Sequence, residues 1–344
     1  MAVQMRRLGQ LGRLVRPTHA ARGLSTQPDF ESASFLGEHF KRTMEFHLAV
    51  DFDTEHGGYY QQITREGAVL DHVNRNLNNT TRGTYTYALA AKTFADSDPE
   101  LAAKCVEGSR HGAQFLQGSH LLHDGSYASD LKCEGGTTEV VDATKLCYGH
   151  GFVLLALSGA HMVGAADRSD MEGIWDTLES RFYRPEDELY VDEIAAEGWD
   201  QVSSYRGQNA NMHMTEAMLC AYEASGDGKY LERARSLAHR ICVGLASQAV
   251  EEPTKGLVYE HYKTDWSIDY EFNLDDKQHL IRPWGFLPGH SAEWAKLLCI
   301  LHRLQPEPEP WVLPAAEHLF AHAVQSWDEE GGGGILYTFV RFQI

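Results

Sequence analysis

No C-x-x-C pair and no dense cysteine framework occur in this chain. Its six cysteines (105, 133, 147, 220, 242 and 299) are scattered, which excludes a disulfide scaffold or a zinc knuckle and reads as buried thiols of a reducing compartment. Basic charge is scarce: 30 Lys and Arg stand against 49 Asp and Glu, leaving a formal net charge of −19. A nucleic-acid binder would need a basic face, so that partner is excluded, and a neutral or weakly charged small molecule suits the surface better than a polyanion. Long apolar runs are missing as well. The longest, Gly151–Ala166, is interrupted by His161 and is short for a membrane span, so it reads as a buried helix. Acidic residues are absent before Asp29, while Arg6, Arg7, Arg13, Arg16 and Arg22 fall in residues 1–28. That arginine-rich, acid-free leader resembles a mitochondrial transit peptide and points to a mitochondrial location, a cytoplasmic one being the alternative.

What is present is helical periodicity. From Glu31 to the C-terminus the chain alternates helical blocks with glycine-rich or polar loops. Helices are predicted near 31–50, 81–96, 99–118, 145–165, 169–183, 208–225, 228–250, 289–304 and 310–328. Strand signals are weak and confined to Gly58–Gln62 and Leu257–Tyr262, as hairpins within loops. Blocks rich in small and apolar residues (Gly151–Ala166, Ala217–Ala224, Ala295–Leu301) alternate with blocks that carry a charged face (Leu101–Leu116, Lys229–Ala246).

Arg82, His150, His213 and His290 lie 68, 63 and 77 residues apart, one polar landmark for each pair of helices. A period of this size marks a repeat of helical hairpins. Inner and outer helices in alternation describe an all-α fold, an α/α toroid forming one domain over residues 31–344.

Two predicted helices open with the same H-x-x-E spacing, His290/Glu293 and His213/Glu216. Residues three and four apart share a helix face, so His290, Glu293 and Trp294 gather in one first turn. Both first turns are expected to point into one shared site. His161, His239, His302, His318 and His322 lack such a setting and are expected to be structural or exposed. H-x-x-E is not the H-E-x-x-H zinc pattern, so no metal is expected.

Four motifs together resemble the N-acylglucosamine 2-epimerase superfamily, and within it the mannose isomerase and sulfoquinovose isomerase branch. They are T-T-R-G-T-Y-T-Y around Arg82, Y-G-H-G-F-V-L-L-A around His150, Q-N-A-N-M-H-M-T-E-A around His213 and P-G-H-S-A-E-W-A around His290. The resemblance implies an (α/α)6 barrel interconverting an aldose and a ketose through a cis-enediolate, with neither redox cofactor nor required metal. It implies a catalytic role for His290 with Glu293 beside it, and contacts of Arg82 and His213 with substrate oxygens near the reacting carbons. His213 is also a catalytic candidate, and His150, Asn209, Glu216, Trp284 and Trp294 are candidate substrate contacts, Glu216 equally a holder of His213. Trp199, Tyr205 and Phe286 are further aromatic candidates for shaping the sugar pocket.

Twelve helices close such a ring, and nine are predicted here. The second catalytic histidine of the family falls on a last inner helix that has no match before Ile344. The expectation is therefore a truncated toroid, with exposed apolar faces that promote homo-oligomers. Two other functions stay open for a monosaccharide ligand: a 2-epimerase, and a sugar-binding protein impaired in catalysis. A third, an inverting glycoside hydrolase or lyase on the same architecture, needs two isolated carboxylates instead of histidines.

Overall fold

The computed structural model describes residues 29–327 and 333–338. The leader predicted over residues 1–28 lies outside them. Compactness divides the chain into two units, Met1–Lys41 and Arg42–Ile344, with the division falling inside helix α1 (Ala33–Val50). In the first unit, Ser32 Oγ accepts the Phe35 amide at 3.2 Å and Phe30 stands edge-on to Phe35.

The second unit is a succession of helical hairpins. Inner helices are α2 (Leu77–Phe94), α4 (Cys147–Met162), α6 (Gln208–Ser225) and α8 (Pro288–Leu304). Outer helices are α3 (Pro99–Phe115), α5 (Arg168–Thr177), α7 (Gly228–His239) and α9 (Val312–Gln325). Each inner helix packs on the next, α2 on α4, α4 on α6 and α6 on α8.

Burial explains the alternation. Helix α4 is buried without a break from Gly149 to Ala160, as its near-continuous apolar sequence demands. Helix α7 buries only Tyr230, Ala234, Leu237 and Ala238, one stripe at helical spacing. Outer helices α3 and α7 begin on side-chain caps: Asp98 accepts from the Leu101 amide, with Pro99 following, and Asp227 accepts from the Lys229 amide; α9 has no such cap. Asp167 and Asp170 form a reciprocal box ahead of α5. Gly226, at φ 68°, closes α6 in the left-handed conformation before the chain turns back. Helices α3, α5 and α7 each end in a π-helical turn (Leu116–His120, Leu178–Phe182, Arg240–Leu245).

Inner helices α4, α6 and α8 have no side-chain cap. Three of the four inner helices are entered through short strands held by the following hairpin. Strand β1 (Asn74–Asn76) precedes α2 and pairs antiparallel with β2 (Asp130–Glu134), which pairs in turn with β3 (Thr137–Asp142). Strand β4 (Lys145–Leu146) precedes α4 and pairs with β7 (Glu193–Ile194), after the β5–β6 hairpin (Tyr183–Arg184 with Leu189–Tyr190). Strand β8 (Arg206–Gly207) precedes α6 and pairs with β9 (His261–Tyr262).

The nine predicted helices match nine observed among the described residues, with the ends shifted by a few residues. The three-stranded sheet was not expected. Its β2–β3 hairpin turns on Gly135 and Gly136, both at positive φ, and the Gly-Gly pair beside T-T-E-V-V-D was its signal. The two anticipated loop hairpins survive as bridges, Phe52 to Tyr59 and Tyr262 to Ile268. The apolar stretch Ile335–Tyr337 does not begin a helix; Ile335 bridges back to Trp327. Five cysteines are buried, as expected, whereas Cys299 is exposed.

Candidate active site

His290 lies in the first turn of α8, 22% exposed. Its Nδ1 stands 2.8 Å from Glu260 Oε1, and Glu260, just ahead of β9, is 4% exposed. Gln208, the first residue of α6, completes the group. The Trp294 indole can only donate, and does so to Gln208 Oε1 at 2.7 Å. The amide nitrogen of Gln208 is thereby turned toward the Glu260 oxygens, at 3.1 and 3.2 Å, and toward His290 Nδ1 at 2.9 Å. On the other edge of the imidazole, Nε2 meets Asn209 Nδ2 at 3.1 Å. Burial alone would lower the pKa of His290; the charge and hydrogen bond of Glu260, helped by Glu293, outweigh it and raise the value.

One turn along α6 from Asn209 stands His213, 11% exposed in its side chain. Its Nδ1 meets Glu216 Oε2 at 3.2 Å, and Glu216 Oε1 accepts from Lys296 Nζ of α8 at 2.8 Å. Burial pushes Glu216 upward, yet His213 and Lys296 together draw it down to about 2. The His213 ring packs edge-on to Tyr148 and against Phe152, both of α4. Arg82 of α2 reaches the same place: its guanidinium lies over Phe152 at 4.6 Å and donates to Tyr148 Oη at 2.9 Å. No carboxylate pairs with it among the described residues.

Arg82, Asn209, His213, Glu216 and His290 thus belong to one continuous cluster contributed by α2, α4, α6 and α8. Helical spacing sets the stripe Asn209–His213–Glu216 of α6 facing His290 and Lys296 of α8. The two H-x-x-E pairs differ. His213 and Glu216 bond to one another, whereas His290 bonds Glu260, and Glu293 is half-buried with no hydrogen bond or ion pair among the described residues. His213 also sits in the second turn of its helix, not the first.

Two expected substrate contacts are corrected. His150 is fully buried; Nδ1 lies 2.7 Å from the Leu146 carbonyl, and Nε2 accepts the Tyr127 amide at 3.1 Å. Burial lowers its pKa to about 4, so it is a neutral core histidine with no free nitrogen. Trp294 is also fully buried and acts by holding Gln208. Trp284 stands apart from both, half-buried in the loop before α8, its indole donating to the Tyr270 carbonyl and Lys277 over its ring. Trp199 packs on Phe182 under Lys145 and Arg181, Tyr205 bonds His261, and Phe286 packs on Tyr259. His161, His318 and His322 each bond a backbone carbonyl, as structural histidines do.

Glu260 and Gln208 were not anticipated. Glu260 sits in a strand-like stretch, L-V-Y-E-H-Y, thirty residues before His290, where helical spacing says nothing. The available signal was a lone acid inside an apolar run, which needs a buried partner. No group of three or more His, Cys, Asp or Glu suited to hold a metal occurs among the described residues.

Helical hairpins that bring two carboxylate-paired imidazoles and a guanidinium to one cluster define an α/α toroid enzyme of the isomerase and epimerase class. The chain belongs to the N-acylglucosamine 2-epimerase (GlcNAc 2-epimerase) family, whose profile matches residues 58–343. It is 41% identical over 308 residues to a D-mannose isomerase of Marinomonas mediterranea, covering 89% of this chain and 74% of that protein. It is 33% identical over 307 residues to a D-mannose isomerase of Thermobifida fusca, covering 89% and 71%. A crystal structure of D-mannose isomerase superposes with a TM-score of 0.81 at 39% identity, covering 92% of this chain and 76% of that one.

Proposed function

We propose that this enzyme interconverts D-mannose and the corresponding ketose by proton transfer between C1 and C2 of the open-chain sugar. The observation that carries the reading is His290, paired through Nδ1 with a buried carboxylate and presenting Nε2 beside Asn209 and the His213–Arg82 cluster. Such an imidazole suits a proton that must leave C2 and return to C1 near neutral pH. The enediolate between the two steps develops negative charge on O1 and O2. Arg82, cationic and without a carboxylate partner among the described residues, supplies charge there, and Asn209 supplies an amide donor. His213, oriented by Glu216, is the second titratable group within reach and suits proton exchange with a sugar hydroxyl. The relatives named for D-mannose support the sugar assignment.

Incubation of the protein with D-mannose in deuterated water tests this. Fructose carrying deuterium at C1 is the expected product, whereas glucose carrying deuterium at C2 would identify a 2-epimerase. A folded protein that forms no fructose from D-mannose and exchanges no hydrogen of mannose, fructose or glucose would overturn the reading in favour of sugar binding alone.

A further inference from the structure

We propose that Glu260 is the positioning residue of His290. It holds the imidazole as the Nδ1–H tautomer, and the Trp294–Gln208 pair fixes Glu260 in place, so that Nε2 carries the reacting proton. The proposal rests on the reading of His290 as the base and adds which atom acts and what sets it.

The geometry leaves little freedom. An indole N–H has one role, donor, and Trp294 spends it on Gln208 Oε1 in a fully buried position. The amide cannot flip without facing N–H against N–H, so its nitrogen stays on the Glu260 side. There it donates to Glu260, whose Oε1 also faces His290 Nδ1 at 2.8 Å. A proton on Nδ1 satisfies that contact, with Gln208 Nε2, 2.9 Å from Nδ1, directing its hydrogens at the Glu260 oxygens and not at the ring; the lone pair of neutral His290 is left on Nε2, where Asn209 Nδ2 donates to it at 3.1 Å. A sugar C2–H that displaces this amide meets the lone pair. The proton moves from C2 to Nε2 as the C2–H electron pair forms the C1–C2 double bond and charge passes to O1; the O2–H proton is transferred to O1, and imidazolium Nε2–H returns the proton to C1 as the C2 carbonyl forms. Nδ1–H stays on Glu260 throughout.

The charged groups acting on His290 are Glu260 and Glu293. Helix α6 turns the neutral Gln208 and Asn209 toward the ring, with His213, Glu216 and Lys296 further along the α6–α8 contact. Of the charged groups only Glu260 bonds the imidazole, so its removal should lower the His290 pKa.

The test uses the full chain. E260Q is expected to reduce kcat for D-mannose by about 10²- to 10⁴-fold, the scale of losing a tautomer-setting carboxylate, with KM little changed. The acid limb of its kcat/KM profile should move to lower pH, and E260D should restore part of kcat. W294F, which keeps the carboxylate but frees Gln208, should lose about tenfold. Nitrogen-15 spectra of the wild-type protein, with the His290 signals identified by their absence in H290Q, should show Nδ1 protonated and Nε2 pyridine-like in the neutral form. That measurement does not depend on how E260Q folds or on turnover. The opposite tautomer, or E260Q with kcat within threefold and an unmoved acid limb, overturns the proposal. Wild-type protein that exchanges no sugar hydrogen, yet shows the Nδ1–H tautomer, sinks the function assigned to the site and leaves this pairing standing.

Discussion

Replacing Arg82 by lysine separates a catalytic guanidinium from a structural one. The side chain is exposed and held by two contacts, the face of Phe152 at 4.6 Å and the Tyr148 hydroxyl at 2.9 Å. An exposed cation–π contact contributes about 0.5–1 kcal/mol. One hydrogen bond adds about 0.5–1.5 kcal/mol. Lysine keeps the charge and part of both contacts, so the loss of stability stays below about 2 kcal/mol. At roughly 2–4 °C per kcal/mol, the midpoint should fall by no more than about 8 °C. If the guanidinium faces the enediolate oxygens, losing its paired donors removes about 3–4 kcal/mol of transition-state stabilisation, a 10²- to 10³-fold drop in kcat. Ketose formation from D-mannose, followed beside a thermal melt, measures both. A kcat within threefold of wild type would refute the role of Arg82. A midpoint lowered by far more than 8 °C would recast the side chain as a structural strut between α2 and α4.

The other expectations follow from the same geometry. H150F keeps the packing against Phe182 but strands the Leu146 carbonyl and the Tyr127 amide, so it should cost about 2–4 kcal/mol of stability. KM of the folded fraction should be unchanged, and a raised KM would return His150 to the sugar. Glu216 is drawn down to about 2 from an unfolded value near 4.5, so its stabilisation is complete above about pH 4.5 and disappears as pH falls toward 2. Unfolding free energies of wild type and E216Q from urea titration should therefore differ by about 1–2 kcal/mol at pH 7, a modest figure because Lys296 is half exposed. The two should converge as pH falls toward 2, and a constant gap would refute the assignment.

The helices were legible because their periodicity is regular and their starts are punctuated by Asp98-Pro99, Asp227 and Pro288-Gly289. Inner and outer roles could be read from how far apolar residues wrap each helix, as α4 and α7 show. The β1–β2–β3 sheet escaped because strand β1 is only three residues long and its partner lies more than fifty residues away. In the site, His290, His213, Asn209, Glu216 and Arg82 stood out because each sits in a helical motif. Spacing along a helix identified Glu216 as the partner of His213 but suggested Glu293 for His290, whereas the bonded carboxylate comes from a loop. Trp294 and His150 were expected to meet substrate because each sits inside one of the recurring motifs; both are buried, and each polar atom already has its match within the protein.

The entry strands of α2, α4 and α6 bear on how the enzyme is made. Each is completed by residues that emerge from the ribosome about fifty later, so these three helices leave synthesis with a raw edge that a later segment seals. Because Glu260 immediately precedes the strand that seals α6, acquiring the partner of the His290 imidazole and finishing the third closure are a single event.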